Sequence, residues 1–218
     1  MDRADRAAQG VLWDMDGVLV DTGELHFQSW MVALTEAGIT FNTEKFRETF
    51  GMNNTKILSI LLGQAPEAGF VTKVSDRKES LFREMIKGKI QPMPGVRAWL
   101  EQLQNMGYRQ AVASSAPQAN IEALVDEMQI QSYFTTTVSA ANLPSKPDPA
   151  VFLEAARRLE APPERCIVIE DATHGVRAAK RAGMRCIAVT TTHPREELAE
   201  ADVVVDSLEE LRTEDFEI

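Results

Sequence analysis

The sequence has few cysteines and no long hydrophobic run, which excludes several classes of protein. Cys166 and Cys186 are its only cysteines in 218 residues, and each lies in an apolar run. We therefore expect two buried free thiols in a reducing, cytoplasmic compartment rather than a disulfide-stabilised fold. No apolar run approaches the ~20 residues of a membrane-spanning helix. Residues 1–6 are polar and no apolar segment follows them, so we expect no secretory signal.

Positive charge is also scarce. Lysine and arginine total 23 against 33 aspartates and glutamates, which gives a net charge of −10. Such a surface repels nucleic acid and anionic membranes, and we expect neither as a partner. It would also repel an anionic substrate, so a phosphate ester would need a local cation or metal ion at its binding site. We expect a monomer or a weak homodimer.

Short apolar runs alternate with helical patterns along most of the chain. Apolar runs bounded by helices are typical of parallel strands that are buried on both faces. The predicted strands are 11–13, 110–114, 136–138, 166–169, 186–189 and 203–205, and the predicted helices between them lie near 96–103, 117–129, 149–160 and 174–182. This alternation predicts the α/β class with a doubly wound parallel sheet.

One long stretch lacks strands. Phe27, Trp30 and Leu34 form a helical stripe that Gly38 ends, and more helices are predicted near 43–50, 54–62 and 75–87. We therefore predict two domains. They are an α/β catalytic core of residues 1–20 and 91–218, and a helical cap domain of residues 21–90 inserted after the first strand.

Polar side chains follow four of the predicted strands. In chain order they are Asp14 and Asp16, Ser114 and Ser115, Lys146, and Glu170 and Asp171. Ligands of open α/β sheets bind beyond the carboxyl ends of the strands, so these side chains are expected to converge on one edge.

This set of residues suits phosphoryl transfer. Clustered carboxylates repel one another unless a hard cation joins them, and Mg²⁺ prefers oxygen ligands together with phosphate. Asp14 can accept a phosphoryl group as a carboxylate nucleophile, while a second carboxyl protonates the leaving oxygen and later activates water. Lys146 and the Ser114 hydroxyl can hold the phosphoryl oxygens.

Each motif alone has a simpler explanation. An Asp-x-Asp pair is common in turns, a serine pair often caps a helix, and acidic residues favour a helix start. Lys146 beside Pro147 is typical of a loop lysine. Placement of all four motifs at strand ends of one sheet favours the functional interpretation.

The segment 13–19, WDMDGVL, resembles the first motif of the haloacid dehalogenase superfamily, in the subfamily with a helical cap after the first strand. Ser114 matches its second motif, Lys146 its third, and Glu170 with Asp171 its fourth. The resemblance implies that Asp14 is the nucleophile and Asp16 the general acid and base.

The same resemblance implies a Mg²⁺ site. Its ligands would be Asp14, the backbone carbonyl of Asp16 and Asp171. Glu170 would act behind these ligands or through water.

Within the superfamily, the run 21–30 is similar to the start of the cap in the β-phosphoglucomutase and sugar-phosphatase branch. His26 corresponds to a cap-hinge histidine, Gly51 falls in the loop that selects substrate, and Lys78 falls near a cap lysine. Asn54 stands where the mutase has an arginine for a second phosphate.

Residues 116–118 also replace a lysine and an asparagine of the mutase. The resemblance thus implies a Mg²⁺-dependent phosphatase acting on a small phosphorylated metabolite, such as a sugar phosphate, with a mutase as the alternative.

Three alternatives stay open at this point. His26 and Lys78 are also explained as packing or solvated residues of a helix. A response-regulator receiver domain has a phosphorylated aspartate but is shorter and lacks both Asp16 and a helical insert. A haloacid dehalogenase would need Asp14 but not Asp16, and would release halide instead of phosphate.

Overall fold

A computed structural model of the chain describes residues 9–218, so the polar segment in which we sought a secretory signal lies outside the described residues. Six parallel strands form one sheet, in the order β3-β2-β1-β4-β5-β6. The strands are β1 Gly10–Trp13, β2 Arg109–Ser114, β3 Thr136–Ser139, β4 Cys166–Glu170, β5 Arg185–Val189 and β6 Val203–Val205. The predicted α/β class and doubly wound sheet are confirmed.

Eight α-helices accompany the sheet in the described residues. They are α1 Gly23–Glu36, α2 Thr43–Thr49, α3 Asn54–Leu62, α4 Ala68–Met85, α5 Val96–Met106, α6 Gln118–Glu127, α7 Ala150–Arg158 and α8 Thr173–Arg181. Val11 and Trp13 pack with α5 and α6, whereas Leu12 packs with α7 and α8 on the other face. Alternate residues of a strand point to opposite faces, so β1 is buried on both sides.

Helices α1 to α4 have a hydrophobic cluster of their own. Trp30 and Leu34 of α1 pack with Ile57 and Leu58 of α3 and with Val74 of α4. Helix α4 begins seven residues before the predicted 75, at Ala68. A glycine near its start weakens the helical signal, and burial of apolar side chains outweighs that intrinsic preference.

The two chain segments that connect the sheet with helices α1 to α4 lie side by side. Val20 bridges both Asp16 and Pro92, and the Met93 N–H donates to the Leu19 carbonyl at 3.0 Å. The chain therefore leaves the sheet edge and returns to it at one place. Cys166 and Cys186 are buried and unpaired with each other, as predicted. Within residues 9–218, the helices are too short or too polar to cross a membrane.

Candidate active site

Asp14, Lys146 and Glu170 meet at the carboxyl edge of the sheet. Asp14 follows β1, and its N–H donates to the Ile169 carbonyl at 3.0 Å, which extends the pairing with β4. The Lys146 Nζ donates to Asp14 Oδ1 at 2.5 Å and to Glu170 Oε1 at 2.6 Å. All three side chains are buried, and buried charges require partners. Lys146 is therefore part of the site and not a solvated loop lysine.

The other carboxylate oxygen of Glu170 is bound at the start of α8. Glu170 Oε2 accepts hydrogen bonds from the backbone N–H groups of Asp171 at 2.8 Å and Ala172 at 2.9 Å. A negative charge is stabilised at this end of a helix by its dipole. Both oxygens of Glu170 thus accept hydrogen bonds within the protein, and Glu170 orients Lys146.

Two glycines make room for the acidic side chains. Gly17 has a φ of +84°, and a methyl group there would overlap Asp171 Oδ2. A methyl group on Gly175, in the first turn of α8, would overlap the Glu170 carboxylate. The Thr192 hydroxyl completes the setting by donating to Asp171 Oδ2 at 2.5 Å. The close approach of these carboxylates therefore depends on the absence of two side chains.

Three buried carboxylates share a single lysine at this edge. Burial raises the pKa of Asp14 to about 7, with Lys146 opposing the rise and Glu170 adding to it. Burial, helped by Glu170 and Asp14, also raises the pKa of Asp171 well above its usual value. Without a further cation the cluster thus holds protons near neutral pH.

The donor set fits Mg²⁺. In the part of the chain that the structure describes, no three acidic, histidine or cysteine side chains form a metal-binding group. Mg²⁺ does not need three, because it often takes one or two carboxylates and completes its octahedron with water and substrate phosphate. Asp14 and Asp171 supply two carboxylates whose ionisation is opposed by burial, so a bound cation would stabilise their charged forms. The Asp16 backbone carbonyl is the further ligand that the resemblance implies.

The Asp16 carboxylate is held by residues at the start of α1. Asp16 Oδ1 accepts a hydrogen bond from the Thr22 hydroxyl and lies 3.1 Å from His26 Nε2. Burial alone would raise the pKa of Asp16, but His26 and Thr22 together lower it below its usual value. Asp16 is therefore an ionised carboxylate here, and its environment differs from that of Asp14.

A buried chain of polar groups continues from His26 into α4. His26 Nδ1 lies 2.8 Å from Lys78 Nζ, and the histidine ring stacks on Phe82 with the ring centroids 4.0 Å apart. Lys78 Nζ donates to both carboxylate oxygens of Glu79 at 3.0 Å. Lys78 is 2% exposed and Glu79 5%. The interpretation of Lys78 as a solvated helix charge is therefore wrong.

Ser114 and Ser115 end β2 beside the same edge. Ser114 Oγ accepts a hydrogen bond from the Ala116 N–H at 3.1 Å. Ser115 Oγ is buried, and none of the described residues forms a hydrogen bond with it. Leaving a buried hydroxyl unpaired costs free energy, so Ser115 is suited to bind a polar ligand.

A cleft lies between α1 to α4 and the sheet edge. Its cavity volume is about 40 Å³, which is below the range of small-molecule sites, so a sugar-sized ligand would require the cleft to widen. Its lining includes the four cap residues that we predicted, which are His26, Gly51, Asn54 and Lys78, together with Asp16, Glu79, Ser115 and the apolar side chains Trp30, Phe46, Phe50, Met52 and Ile57. The structure thus brings the predicted cap residues to the side of the cleft that faces Asp16.

Comparison with known proteins shows which family this chain belongs to. A model of the haloacid dehalogenase-like hydrolase family matches residues 11–189. The chain belongs to that family. The match spans all four predicted motifs of this hydrolase as well as its helical insert, so the receiver-domain alternative is wrong.

Relatives of this hydrolase include a phosphatase and a mutase. The chloroplastic 5-amino-6-(5-phospho-D-ribitylamino)uracil phosphatase of Arabidopsis thaliana is 31% identical over 93% of this chain, which spans only 55% of that protein's length. Beta-phosphoglucomutase of Bacillus subtilis is 31% identical over 94% of this chain and 92% of its own. The family and its phosphatases confirm the prediction of an enzyme of the phosphohydrolase type.

A solved structure agrees with the fold. CbbY from Rhodobacter sphaeroides, crystallised as a variant with xylulose-(1,5)bisphosphate, superposes with a TM-score of 0.86 at 28% identity, covering 97% of this chain and 100% of that chain.

Several residues of the site were missed from the sequence. Thr22, Glu79 and Thr192 each contact a predicted site residue, and Asn120 contacts Glu79. Thr22, Glu79 and Asn120 lie away from the strand ends, which were the signal that found the others, whereas Thr192 lies three residues after β5 and could have been found by that signal. Glu79 lies in a run of charges that is typical of a solvated helix face.

Gly175→Ala is expected to impair this hydrolase although alanine favours a helix more than glycine does. The added methyl group displaces Glu170 from Lys146, and loss of such a supporting partner costs about 10- to 100-fold in activity or metal affinity. Phosphate release and Mg²⁺ titration measure the effect. Gly69→Ala is the matched control, because Gly69 lies in α4 and nothing lies within 4 Å of its added methyl group. Equal activity of the two variants would contradict the role of Glu170.

Proposed function

We propose that this hydrolase is a Mg²⁺-dependent phosphatase that hydrolyses a small phosphate ester, a sugar phosphate, through an aspartyl phosphate on Asp14. The observation that carries the proposal is the buried contact of Lys146 with both Asp14 and Glu170. This contact supports the proposal because it holds the Asp14 carboxylate beside the positive charge of Lys146, which is the arrangement that attack on a phosphate requires.

In the first step an Asp14 carboxylate oxygen attacks phosphorus, and the bond from phosphorus to the ester oxygen breaks. The leaving oxygen takes a proton from the Asp16 carboxyl and departs as an alcohol. Lys146 and the hydroxyls of Ser114 and Ser115 hold the phosphoryl oxygens, where charge accumulates in the transition state. Asp16 must collect that proton beforehand, because it is ionised beside His26.

In the second step the Asp16 carboxylate, now ionised, takes a proton from a water molecule that attacks phosphorus. Inorganic phosphate leaves and Asp14 is restored. Mg²⁺, held by Asp14, Asp171 and the Asp16 backbone carbonyl, would supply positive charge to offset that of the phosphate and the carboxylates.

We further propose that residues 21–90 act as a cap over residues 1–20 and 91–218. The contacts of Asp16 with Thr22 and His26 lie where the chain enters α1. A shift of the cap against the core would therefore change the surroundings of the acid and base, so cap closure and proton transfer are linked.

The mutase alternative is disfavoured by the charges of the cleft. A mutase must hold a second phosphate, and charged, forked groups such as arginine do so best. Asn54 lines the cleft without charge and donates to Glu79 at 2.7 Å. Lys56 could have supplied the positive charge that the mutase has in its arginine, but Lys56 is exposed and does not line the cleft.

A single assay separates hydrolase from mutase. β-Glucose 1-phosphate is incubated with the protein, Mg²⁺ and a trace of glucose 1,6-bisphosphate, and free phosphate and glucose 6-phosphate are followed together. The proposal predicts net release of phosphate with little glucose 6-phosphate. Rapid formation of glucose 6-phosphate with little free phosphate would establish the mutase instead.

Mg²⁺ binding is expected to release protons, because its ligands must be ionised. The pKa of Asp14 is raised to about 7, so below pH 7 the metal ion competes with at least one proton. The apparent affinity should then rise by about tenfold for each pH unit below pH 6, and by less as the pH approaches 7. Calorimetry in two buffers of different ionisation enthalpy measures the proton release. A pH-independent affinity would contradict this ligand set.

A further inference from the structure

Lys78 is the only lysine or arginine among the described residues that line the cleft. Its charge is already matched within the protein. The ammonium group is 3.0 Å from both oxygens of Glu79, the next residue on α4, and both side chains are buried. The side chains of consecutive helical residues normally point in different directions, but those of Lys78 and Glu79 meet. Burying two charged groups costs free energy, and their pairing reduces that cost.

Glu79 is held in place from two further directions. Asn54, at the start of α3, donates to Glu79 Oε1 at 2.7 Å, and Asn120 of α6 donates to Glu79 Oε2. Asn120 in turn accepts a hydrogen bond from Arg83 at 2.9 Å. Burial would raise the pKa of Glu79, but Lys78 and His26 lower it below its usual value, so the carboxylate is charged. The negative charge is therefore a fixed feature of the cleft.

We propose that Glu79 determines substrate specificity by neutralising Lys78, so that the cleft accepts phosphate monoesters whose leaving group carries no second anionic group. The inference rests on the proposed phosphatase function and names its substrate class. In such a substrate the leaving group carries no charge, and one of its faces is rich in carbon.

The lining of the cleft supports this class. The charges of Lys78 and Glu79 offset each other, so the described lining offers no unpaired lysine or arginine where the leaving group binds. A second phosphate adds about −1.5 to −2 charges at neutral pH and meets no unpaired cation there. Phe46, Phe50 and Ile57 supply apolar surface instead, which suits the carbon skeleton of a neutral alcohol.

Glu79→Gln tests the proposal, because it removes one charge and keeps the size of the side chain. Fructose 1-phosphate and fructose 1,6-bisphosphate form the probe pair, since they differ by one phosphate. The wild type should prefer the monophosphate in kcat/KM, and the variant should shift that preference toward the bisphosphate by about tenfold or more. Glu36→Gln is the matched control, because Glu36 pairs with Arg77 on the exposed side of the same helices. It should leave the preference unchanged.

Asn54→Lys is a second variant that makes the same change of charge by addition; it retains Glu79 and replaces its Asn54 donor with an ammonium donor. If circular dichroism shows that Glu79→Gln does not fold, Asn54→Lys is used to test the proposal in its place. Binding of the same two esters to each variant combined with Asp14→Asn, measured by calorimetry, reports the preference without turnover.

The two proposals fail differently. Absence of phosphate release from every monoester overturns the phosphatase, while the binding preference still tests Glu79. A wild type that treats the two esters equally, or an unchanged preference in both variants, overturns the role of Glu79.

Discussion

Asp14→Asn is expected to lower kcat by at least about 10⁴-fold, because the residue that forms the covalent bond has no substitute. Asparagine has the same shape, and its amide oxygen can still accept the hydrogen bond from Lys146. An amide is not nucleophilic at oxygen under these conditions, so binding remains while chemistry stops. The loss should therefore fall on kcat and not on KM alone.

The same variant should remain folded. Burial raises the pKa of Asp14 to about 7 in the folded protein, so the fold disfavours the ionised form, and without metal its stability falls as pH rises from about 4 to 7. Asparagine removes that titration, and denaturant unfolding in the presence of a chelator should show a weaker pH dependence. Asp21→Asn, an exposed aspartate, is the matched control and should retain activity. Near-normal turnover by Asp14→Asn would refute the mechanism.

Asp16→Asn should have the second largest effect, and the size should depend on the leaving group. General acid catalysis contributes about 10²- to 10⁴-fold when the leaving oxygen is poor, as in a sugar phosphate. An activated aryl phosphate leaves without protonation, so phosphorylation of the enzyme should slow much less. Asparagine can still accept the hydrogen bond from the Thr22 hydroxyl, so this contact is retained.

Pre-steady-state kinetics with the two ester types measure this difference. The phosphorylation step is read from the burst of released alcohol, and the dephosphorylation step should be slow for both esters, because Asp16 also activates water. A Thr22→Val variant controls for loss of the hydrogen bond between Thr22 and Asp16 alone. Equal loss with both esters in the phosphorylation step would show that Asp16 is not the acid.

The core of the site could be predicted because its residues follow strands. The runs that contain Val11 and Ile167 are apolar throughout, which is typical of a strand buried on both faces. Parallel strands end at one edge, so Asp14 and Glu170 had to converge there. The sequence could not reveal that Glu170 contacts Lys146, because that depends on the direction of a side chain at the end of β4.

The contacts made by helices α1 to α4 were harder to predict for physical reasons. The pairing of Lys78 with Glu79 joins consecutive helical residues, a spacing that no helical periodicity selects. Its other partners, Asn54 and Asn120, lie 25 and 41 residues from Glu79 along the chain, so only the packed structure brings them together. The early start of α4 was missed for a similar reason, since tertiary contacts decide it.

The central claim is that Asp14 carries the phosphoryl group, and trapping of the phosphoenzyme tests it most directly. The protein is mixed with Mg²⁺ and a monoester, quenched in acid within the first turnover, and digested for mass spectrometry. The account predicts the added mass of one phosphoryl group on the peptide that contains Asp14, and its absence in Asp14→Asn. Steady hydrolysis with no phosphorylated peptide, or with the phosphoryl group on another residue, would contradict the account.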